Sequence, residues 1–474
     1  MPNMENNRIA ADVQRIHLIA VCGTGMAALA AALKDLGFDV SGSDRNVYPP
    51  MSTFLAEKGI PIHDGYRPEN LAPPPDLVVV GNAVSRDNPE VQHMIAAGLR
   101  FCSMPQAVNH FLLADRKPIV ITGTHGKTTT AALMSWMLHT AELDPGFFIG
   151  GILRDFGSNY RLGGGPFMVL EGDEYDTAFF DKGPKFLHYR PAIAVLTSIE
   201  FDHADIFRDL NHIRSAFDAF LRKIPSESLL LAYDEDPDVA DLIAGRPFRI
   251  QTCGGHPGAI WRLSGAAVEP PWTTFEVARR GRPYAAFRTR MMGRHNLRNA
   301  LSVIAAAHDI GVPLAAVQRA LETFGGVRRR QEVRGVRRGV TVIDDFAHHP
   351  TAVRETIKAV KPFAGGGRLI AVFEPRTNTS MRAVFQDVYP DAFDAADLVC
   401  VRRPPLLKKI PEGQRFSSQQ LVEDLKKRGK AADYFTDTDG IIAFLSKEAM
   451  AGDVILVMSN GGFDNIHARL LERL

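Results

Sequence analysis

The residues Gly123-Thr124-His125-Gly126-Lys127-Thr128-Thr129 follow the apolar run Val120-Ile121 and lead into Ala131-Ala132-Leu133-Met134. A strand, a glycine turn, a Lys-Thr pair and the first turn of a helix are the parts that hold a nucleoside triphosphate. Backbone N–H groups of the turn and helix start face phosphate oxygens. Lys127 can reach the β- and γ-phosphates, and the Thr128 hydroxyl can ligate Mg²⁺. The loop is shorter than the common pattern, because Ile121 stands where a first glycine is usual. The plain alternative is a chance Gly-Lys-Thr in a surface turn, and the strand and helix on either side argue against it.

Other polar bursts end apolar runs. Met168-Val169-Leu170 runs into Glu171-Gly172-Asp173-Glu174-Tyr175-Asp176, where a carboxylate can hold Mg²⁺ directly or through water. Thr197-Ser198-Ile199-Glu200-Phe201-Asp202-His203-Ala204-Asp205 follows another buried run, and His203 can ligate a metal through neutral imidazole. Some of these acids are expected to be simple solvated loop residues. Asn296 and Asn299 sit one helical turn apart and can read an adenine edge; helix capping by Asn296 is the competing reading. Val342-Ile343 ends in Asp344-Asp345-Phe346-Ala347-His348-His349-Pro350. Val372-Phe373 ends in Glu374-Pro375-Arg376-Thr377-Asn378-Thr379, where Arg376 can grip a carboxylate bidentately. Met458-Ser459-Asn460-Gly461-Gly462-Phe463 is a glycine turn after the last apolar run. Near the start, Gly23-Thr24-Gly25-Met26 can bind a diphosphate, with Asp44 about where a ribose-binding acid sits. Ala28 occupies the place of the third glycine of a dinucleotide fingerprint, and a ligand-free βα turn would look the same.

These sites need parallel strands whose C-terminal ends share an edge, and the chain supplies them. Strands are expected at 17–21, 40–44 and 77–82, with a helix at 27–36; a linker at Asp115-Arg116-Lys117-Pro118 leads to the phosphate loop. Further strands are expected at 167–170, 193–197, 340–343, 369–373, 398–401 and 454–458, a β-rich flap at 245–290, and an Ala-rich helix at 296–311. The fold class is therefore α/β. With 474 residues the chain suits several domains, and 45% hydrophobic residues fill their cores. A net charge of +1 gives no argument for nucleic acid or an anionic membrane. Cys22, Cys102, Cys253 and Cys400 are far apart and suggest reduced thiols in a cytoplasmic protein. The N-terminus does not read as a signal peptide, and Ile16–Leu33 is too broken by His17, Gly23 and Gly25 to span a membrane.

Taken in order, the phosphate loop, Glu171-Gly172-Asp173-Glu174, Asp202-His203-Ala204-Asp205, Gly293-Arg294-His295-Asn296-Leu297-Arg298-Asn299, the arginine run ending at Arg330 and Asp344-Asp345-Phe346-Ala347-His348-His349-Pro350 resemble the motifs of the Mur ligase family. Its members are ATP-dependent amide ligases of bacterial cell-wall synthesis, and the likeness covers nearly the whole chain. His125 and the Asp-Asp-x-x-His-His-Pro signature are shared with two branches, one adding L-alanine to UDP-N-acetylmuramate, the other adding the recycled tripeptide L-alanyl-γ-D-glutamyl-meso-diaminopimelate. The chain is more similar to the tripeptide branch at 46–53, 173–182, 200–207, 374–379 and 458–463. It departs from the family pattern at Gly172, where alanine is usual, and at Asp464-Asn465, where small residues are usual. Where several members carry a carbamylated lysine, this chain has Ser215-Ala216-Phe217-Asp218, so other groups must complete the metal site.

The resemblance implies three domains: a Rossmann-like UDP-sugar domain over 1–115, a central P-loop ATP domain over 116–325, and a C-terminal α/β domain over 326–474 that binds the peptide. It implies that Gly123, Thr124, His125, Gly126, Lys127, Thr128 and Thr129 hold ATP phosphates, and that Asn296, Asn299 and Asp345 hold adenosine. Thr128, Glu171 and His203 would hold Mg²⁺, and Lys127, Glu171, His203 and Arg330 would serve catalysis through an acyl phosphate. Gly23, Thr24, Gly25 and Met26 would hold the uridine diphosphate, with Ser43 and Asp44 near the base, while Arg376 and Asn378 would meet peptide carboxylates. Diaminopimelate comes from the resemblance, and spacing does not separate it from lysine. Nothing in the sequence fixes an oligomeric state. The rivals are the alanine-adding ligase, an NAD-dependent oxidoreductase built on the first glycine turn, and a non-catalytic nucleotide switch; the polar strand ends favour catalysis over a switch.

Overall fold

The computed structural model describes residues 3–204 and 206–474; Asp205 of the Asp-His motif lies outside the described residues. The chain divides into two compact units. The first comprises 1–199, 211–252 and 302–317, and the second 200–210, 253–301 and 318–474.

In the first unit, β1 (Arg15–Ile19), α1 (Thr24–Asp35), β2 (Asp39–Asp44), β3 (Ile62–Asp64), β4 (Leu77–Val80), α2 (Pro89–Ala96) and β5 (Phe101–Ser103) build a parallel sheet of order β3-β2-β1-β4-β5. Order reversal beside β1 leaves a crevice at the strand C-termini, where open α/β sheets bind ligands. Leu77-Val78-Val79-Val80 is continuously apolar because both faces of a parallel sheet are covered.

The same unit contains β6 (Lys117–Thr122), α3 (Lys127–Thr140), β7 (Gly146–Leu153), β8 (Ser158–Arg161), β9 (Phe167–Gly172), β10 (Ile193–Leu196), α4 (Leu210–Lys223) and β11 (Leu229–Tyr233). Their order is β11-β10-β6-β9-β7-β8, parallel except for the β7–β8 pair. The registers Ile121↔Glu171 and Leu196↔Thr122 bring the phosphate loop, the acidic segment and Thr197-Ser198 to one sheet edge. The first two layers are joined by side chains: Tyr160 Oη donates to Asp35 at 2.7 Å, and Asn159 Nδ2 to the Thr24 carbonyl at 3.4 Å.

In the second unit, β12 (Trp261–Glu269), β13 (Trp272–Arg279) and β14 (Arg282–Thr289) pair antiparallel, which is the β-rich flap expected from the sequence. Helix α5 (Arg294–Ile310) follows, its residues up to 301 belonging to this unit. Then come β15 (Glu332–Arg337), β16 (Val340–Asp345), α6 (Pro350–Val360), β17 (Leu369–Phe373), β18 (Leu398–Arg402), β19 (Ala431–Phe435), β20 (Val454–Met458) and α7 (Ile466–Arg473). The sheet order is β15-β16-β20-β17-β18-β19, antiparallel only at β15. Alternate residues feed two cores: Ile343, Phe373 and Leu456 pack on one face, Val342, Val372 and Val457 on the other. Expected strands at 369–373 and 454–458 match residue for residue, and the others agree to within a few residues. Among the described residues no disulfide forms, and no helix is long and apolar enough to cross a membrane.

Candidate active site

The phosphate loop is fixed by its neighbours. Gly123 has φ +122°, and a Cβ there would fall 2.2 Å from Thr197 Oγ1, so only glycine fits. Thr124 N donates to the Ser198 carbonyl at 2.9 Å, His125 N to Ser198 Oγ at 3.1 Å, and Thr197 Oγ1 to the His125 carbonyl at 2.6 Å. Two loop N–H groups expected to face phosphate are thus engaged by the β10 strand end. The first turn of α3, which includes Thr128 and Thr129, is the other part of the loop whose backbone N–H groups suit an anion. That turn is entered through Gly126 at φ +82° with no side-chain cap. First-turn N–H groups have no intrahelical acceptor, and an uncapped helix start suits a phosphate.

Lys127 Nζ donates to Glu174 Oε2 at 2.8 Å, to the Gly123 carbonyl at 2.6 Å and to the Thr124 carbonyl at 3.3 Å. Glu174 is 2% exposed. Burial acts to lower the Lys127 pKa, but Glu174, Asp173 and Glu171 outweigh it and hold the ammonium above the ordinary lysine range. Asp173 behaves as the mirror image: burial opposes its charge, yet Lys185 and Lys127 keep it below the usual carboxylate range. Lys185 Nζ lies 3.1 Å from Asp173 Oδ2 and 4.3 Å from the Tyr175 ring centroid. The acids therefore surround a cationic loop, and Glu174 pairs with the lysine as an internal anion. Sequence reasoning placed Glu174 in the motif without assigning it a role.

Glu171 Oε1 accepts Gly150 N at 2.9 Å. Thr128, in the first turn of α3 after β6, and Glu171, near the C-terminal end of the adjacent β9, are hard oxygen donors of the kind that fits Mg²⁺. The departure at Gly172 has a steric cause. A Cβ there would meet Val120 Cγ1 at 2.8 Å and Phe186 Cβ at 3.2 Å.

At the first glycine turn, Gly23 and Thr24 are exposed and α1 starts without a side-chain cap, as a diphosphate site requires. Gly25 is half-buried and Met26 buried. Asp44 accepts Cys22 N at 2.9 Å and Asn46 N at 3.0 Å, so its carboxylate fixes the turn's backbone. Ser43, expected near the base, has a side chain that is 0% exposed and donates to Glu90 Oε2 at 2.5 Å. His17 and Asn70 also face Glu90, and the Ser43 carbonyl accepts Ala20 N and Val21 N.

In the second unit, Asn296 Nδ2 donates to the Met292 carbonyl at 2.9 Å and to Gln331 Oε1 at 3.0 Å; Asn299 Nδ2 donates to Asn296 Oδ1 at 3.2 Å. Gln331 N donates to Asp345 Oδ2 at 2.8 Å. The structure thus brings together Asn296, Asn299 and Asp345 through Gln331, a residue absent from the sequence-based set. Helix capping does not account for Asn296, which lies inside α5 with its side chain turned to Gln331. Burial raises the Asp345 pKa, against the pull of Arg330. The Arg330 guanidinium stacks 4.8 Å from the Phe346 centroid.

His203, at φ +53°, belongs to a segment held within the second unit. There Thr351 Oγ1 donates to Glu200 at 2.7 Å, His349 Nε2 lies 3.1 Å from the Phe201 carbonyl, and His348 Nε2 lies 4.0 Å from Asp202. Burial opposes ionisation of Asp202, but His203, His348 and His349 hold it well below the usual carboxylate range. Arg376 Nη1 lies 3.8 Å from Glu374, which is itself paired with Arg402 and accepts Ser459 Oγ at 2.6 Å. Asn378 is exposed on the turn closed by Ser380.

The geometry has close counterparts among known proteins. The model of the Mur ligase family, catalytic domain, matches residues 15–116; the Mur ligase middle domain matches 121–307; and the Mur ligase, glutamate ligase domain, matches 328–461. UDP-N-acetylmuramate–L-alanyl-gamma-D-glutamyl-meso-2,6-diaminoheptandioate ligase of Escherichia coli is 40% identical over 461 residues, 97% of this chain and 98% of that protein. UDP-N-acetylmuramate–L-alanine ligase of Sorangium cellulosum is 34% identical over 471 residues, 98% of this chain and 97% of that one. The crystal structure of a murein peptide ligase from Psychrobacter arcticus aligns with TM-score 0.71 at 35% identity, covering 97% and 98% of the two chains. With its phosphate loop, its parallel sheets and these matches along almost its whole length, the chain belongs to the Mur ligase family, ATP-dependent ligases of three-domain α/β architecture.

Proposed function

We propose that this chain joins the carboxylate of UDP-N-acetylmuramate to the free amine of L-alanyl-γ-D-glutamyl-meso-diaminopimelate, with ATP cleaved to ADP and phosphate, in peptidoglycan recycling. The observation that carries the reading is full-length identity of 40% with a ligase of that name, against 34% with an alanine-adding relative. Both substrates and ATP are cytoplasmic metabolites, which places the reaction in the cytoplasm.

The lactyl carboxylate attacks the γ-phosphorus of ATP, ADP leaves, and an acyl phosphate forms. The peptide amine then attacks the acyl carbon, and phosphate departs from the tetrahedral intermediate. Two anions must approach, so the site needs positive charge that is positioned beforehand. Lys127 provides it by exchanging Glu174 for the γ-phosphate, and Glu174 keeps the ammonium charged until then. The first turn of α3 receives the phosphates, and Asn296, Asn299, Gln331 and Asp345 hold adenosine. Thr128, Glu171 and His203 would hold Mg²⁺, which supplies Lewis-acid neutralisation of the phosphates. Gly23, Thr24, Gly25 and Met26 hold the uridine diphosphate on a turn stiffened by Asp44. Arg330 adds charge beside the adenosine site, and Arg376 and Asn378 meet the peptide. We further propose domain limits at residues 115 and 325.

The test is phosphate release from ATP and Mg²⁺ with UDP-N-acetylmuramate, comparing the tripeptide with free L-alanine as acceptor. Release with the tripeptide is expected. Release with alanine alone would assign the chain to the alanine-adding branch.

A further inference from the structure

Lys185 is a largely buried ammonium beside the phosphate loop, and none of the roles above uses it. A hairpin puts it there. The strands Asp176–Ala178 and Asp181–Pro184 pair antiparallel with Asp176 opposite Pro184, so the chain returns to the acids it has just left. Lys185 N then donates to the Tyr175 carbonyl at 3.3 Å, and Phe186 N to the Asp173 carbonyl at 3.2 Å. Phe186 is buried, its ring centroid 5.4 Å from that of Phe217 and 4.9 Å from that of Phe220. Anchored in this way, Lys185 has its Nζ 3.1 Å from Asp173 Oδ2, with the two side chains 11% and 16% exposed. Tyr175 covers the pair: its ring centroid lies 4.3 Å from Nζ, and its hydroxyl donates to the Asp173 carboxylate.

Lys127 and Lys185 thus share one group of acids, with Lys127 on Glu174 and Lys185 on Asp173. The two lysines differ in freedom. Lys127 opens a helix that faces the phosphates, whereas the backbone of Lys185 is bonded to the acid segment itself. In the exchange proposed above, Lys127 gives up Glu174 for the γ-phosphate. Glu174, 2% exposed, and Asp173 then keep their charges with one ammonium fewer beside them. Breaking a buried ion pair is costly because it leaves a charge unpaired, and a cation that stays in the cluster lowers that cost.

We propose that Lys185 is a positioning residue for ATP, a fixed counter-charge that stays on Asp173 and so lets Lys127 leave Glu174 for the γ-phosphate. The inference rests on the Lys127 exchange proposed above. Without Lys185 the acids hold Lys127 more tightly, and an incoming phosphate meets a site with one more net negative charge. Both effects weaken the binding of the γ-phosphate. ADP lacks that phosphate and is affected less.

The experiment measures dissociation constants for ADP and for the non-hydrolysable β,γ-imido analogue of ATP, both with Mg²⁺, and reads the affinity of the analogue relative to that of ADP. Lys185→Met should lower this ratio by about tenfold or more, the scale of one unpaired buried charge. Lys185→Arg, which keeps the charge, should stay within about threefold of the native ratio. Adding Asp173→Asn to Lys185→Met removes both charges of the pair and should restore the ratio to within about threefold of native. A merely structural role would weaken both nucleotides alike and would not be mended by the second substitution. The double variant leaves no charge of this pair unmatched, so it decides the matter even where Lys185→Met does not fold. A native ratio in Lys185→Met would overturn the role of Lys185, as would a double variant whose ratio stays about tenfold below native. A native ratio in Lys127→Ala would overturn the exchange itself, and the role of Lys185 with it.

Discussion

Gly23–Gly25 and Gly123–Gly126 both follow a buried parallel strand and open a helix that has no side-chain cap, yet only the second turn carries a lysine. Around the first, the structure offers fixed backbone: Asp44 holds Cys22 N, and the Ser43 carbonyl holds Ala20 N and Val21 N. Around the second it offers exchangeable charge: Lys127 paired with Glu174, amid Asp173, Glu171 and Lys185. The difference separates holding a phosphate from transferring one. A diphosphate that only has to stay in place needs donors in fixed positions. A phosphoryl group that moves needs a cation that can follow the charge.

The sharpest way to break this contrast is Lys127→Ala. Turnover should fall by ~10³-fold or more with the fold intact, the scale of losing a phosphate-stabilising cation. Steady-state phosphate release at saturating substrates checks this, and unchanged turnover would remove Lys127 from the chemistry. A smaller effect is expected at the first turn. Asp44→Asn keeps one acceptor but loses its charge, so KM for UDP-N-acetylmuramate should rise about tenfold, while KM for ATP and kcat hold steady. Equal changes in both KM values would mean that the two turns do not divide the work.

The smallest effect concerns what stiffens the first turn. Glu90 is buried, and burial opposes its charge, but hydrogen bonds from His17, Ser43 and Asn70 hold its pKa below the ordinary glutamate value. A lowered folded-state pKa contributes stability above the unfolded value, which is lost as pH falls through the folded one. Glu90→Gln should therefore cost about 2 kcal/mol near neutral pH, and the gap should narrow in acid below the ordinary glutamate pKa. Chemical denaturation at several pH values measures it; a gap that widens in acid would mean that Glu90 is held neutral.

The contrast between the turns was largely legible in the sequence, because local patterns write it. Strand, glycine, Lys-Thr and helix lie within one short stretch, and continuous apolar runs such as Leu77–Val80 announce buried parallel strands. What joins distant segments was not legible. Gln331 links Asn296 to Asp345 across stretches with no shared period, and the Lys127–Glu174 pair depends on β6 and β9 lying side by side. The Ser43–Glu90 bond is another such link, made between β2 and α2 across stretches far apart in sequence.

The central claim is that the lysine-bearing turn transfers phosphate to the substrate held by the other turn, before any acceptor arrives. The most direct measurement follows ATP labelled with ¹⁸O in its β,γ-bridge for positional exchange, with UDP-N-acetylmuramate and Mg²⁺ present and the peptide absent. Exchange is predicted in the native protein, at saturating sugar nucleotide in Asp44→Asn, and not in Lys127→Ala. Exchange that never appears without the peptide, or that survives in Lys127→Ala, would contradict the account.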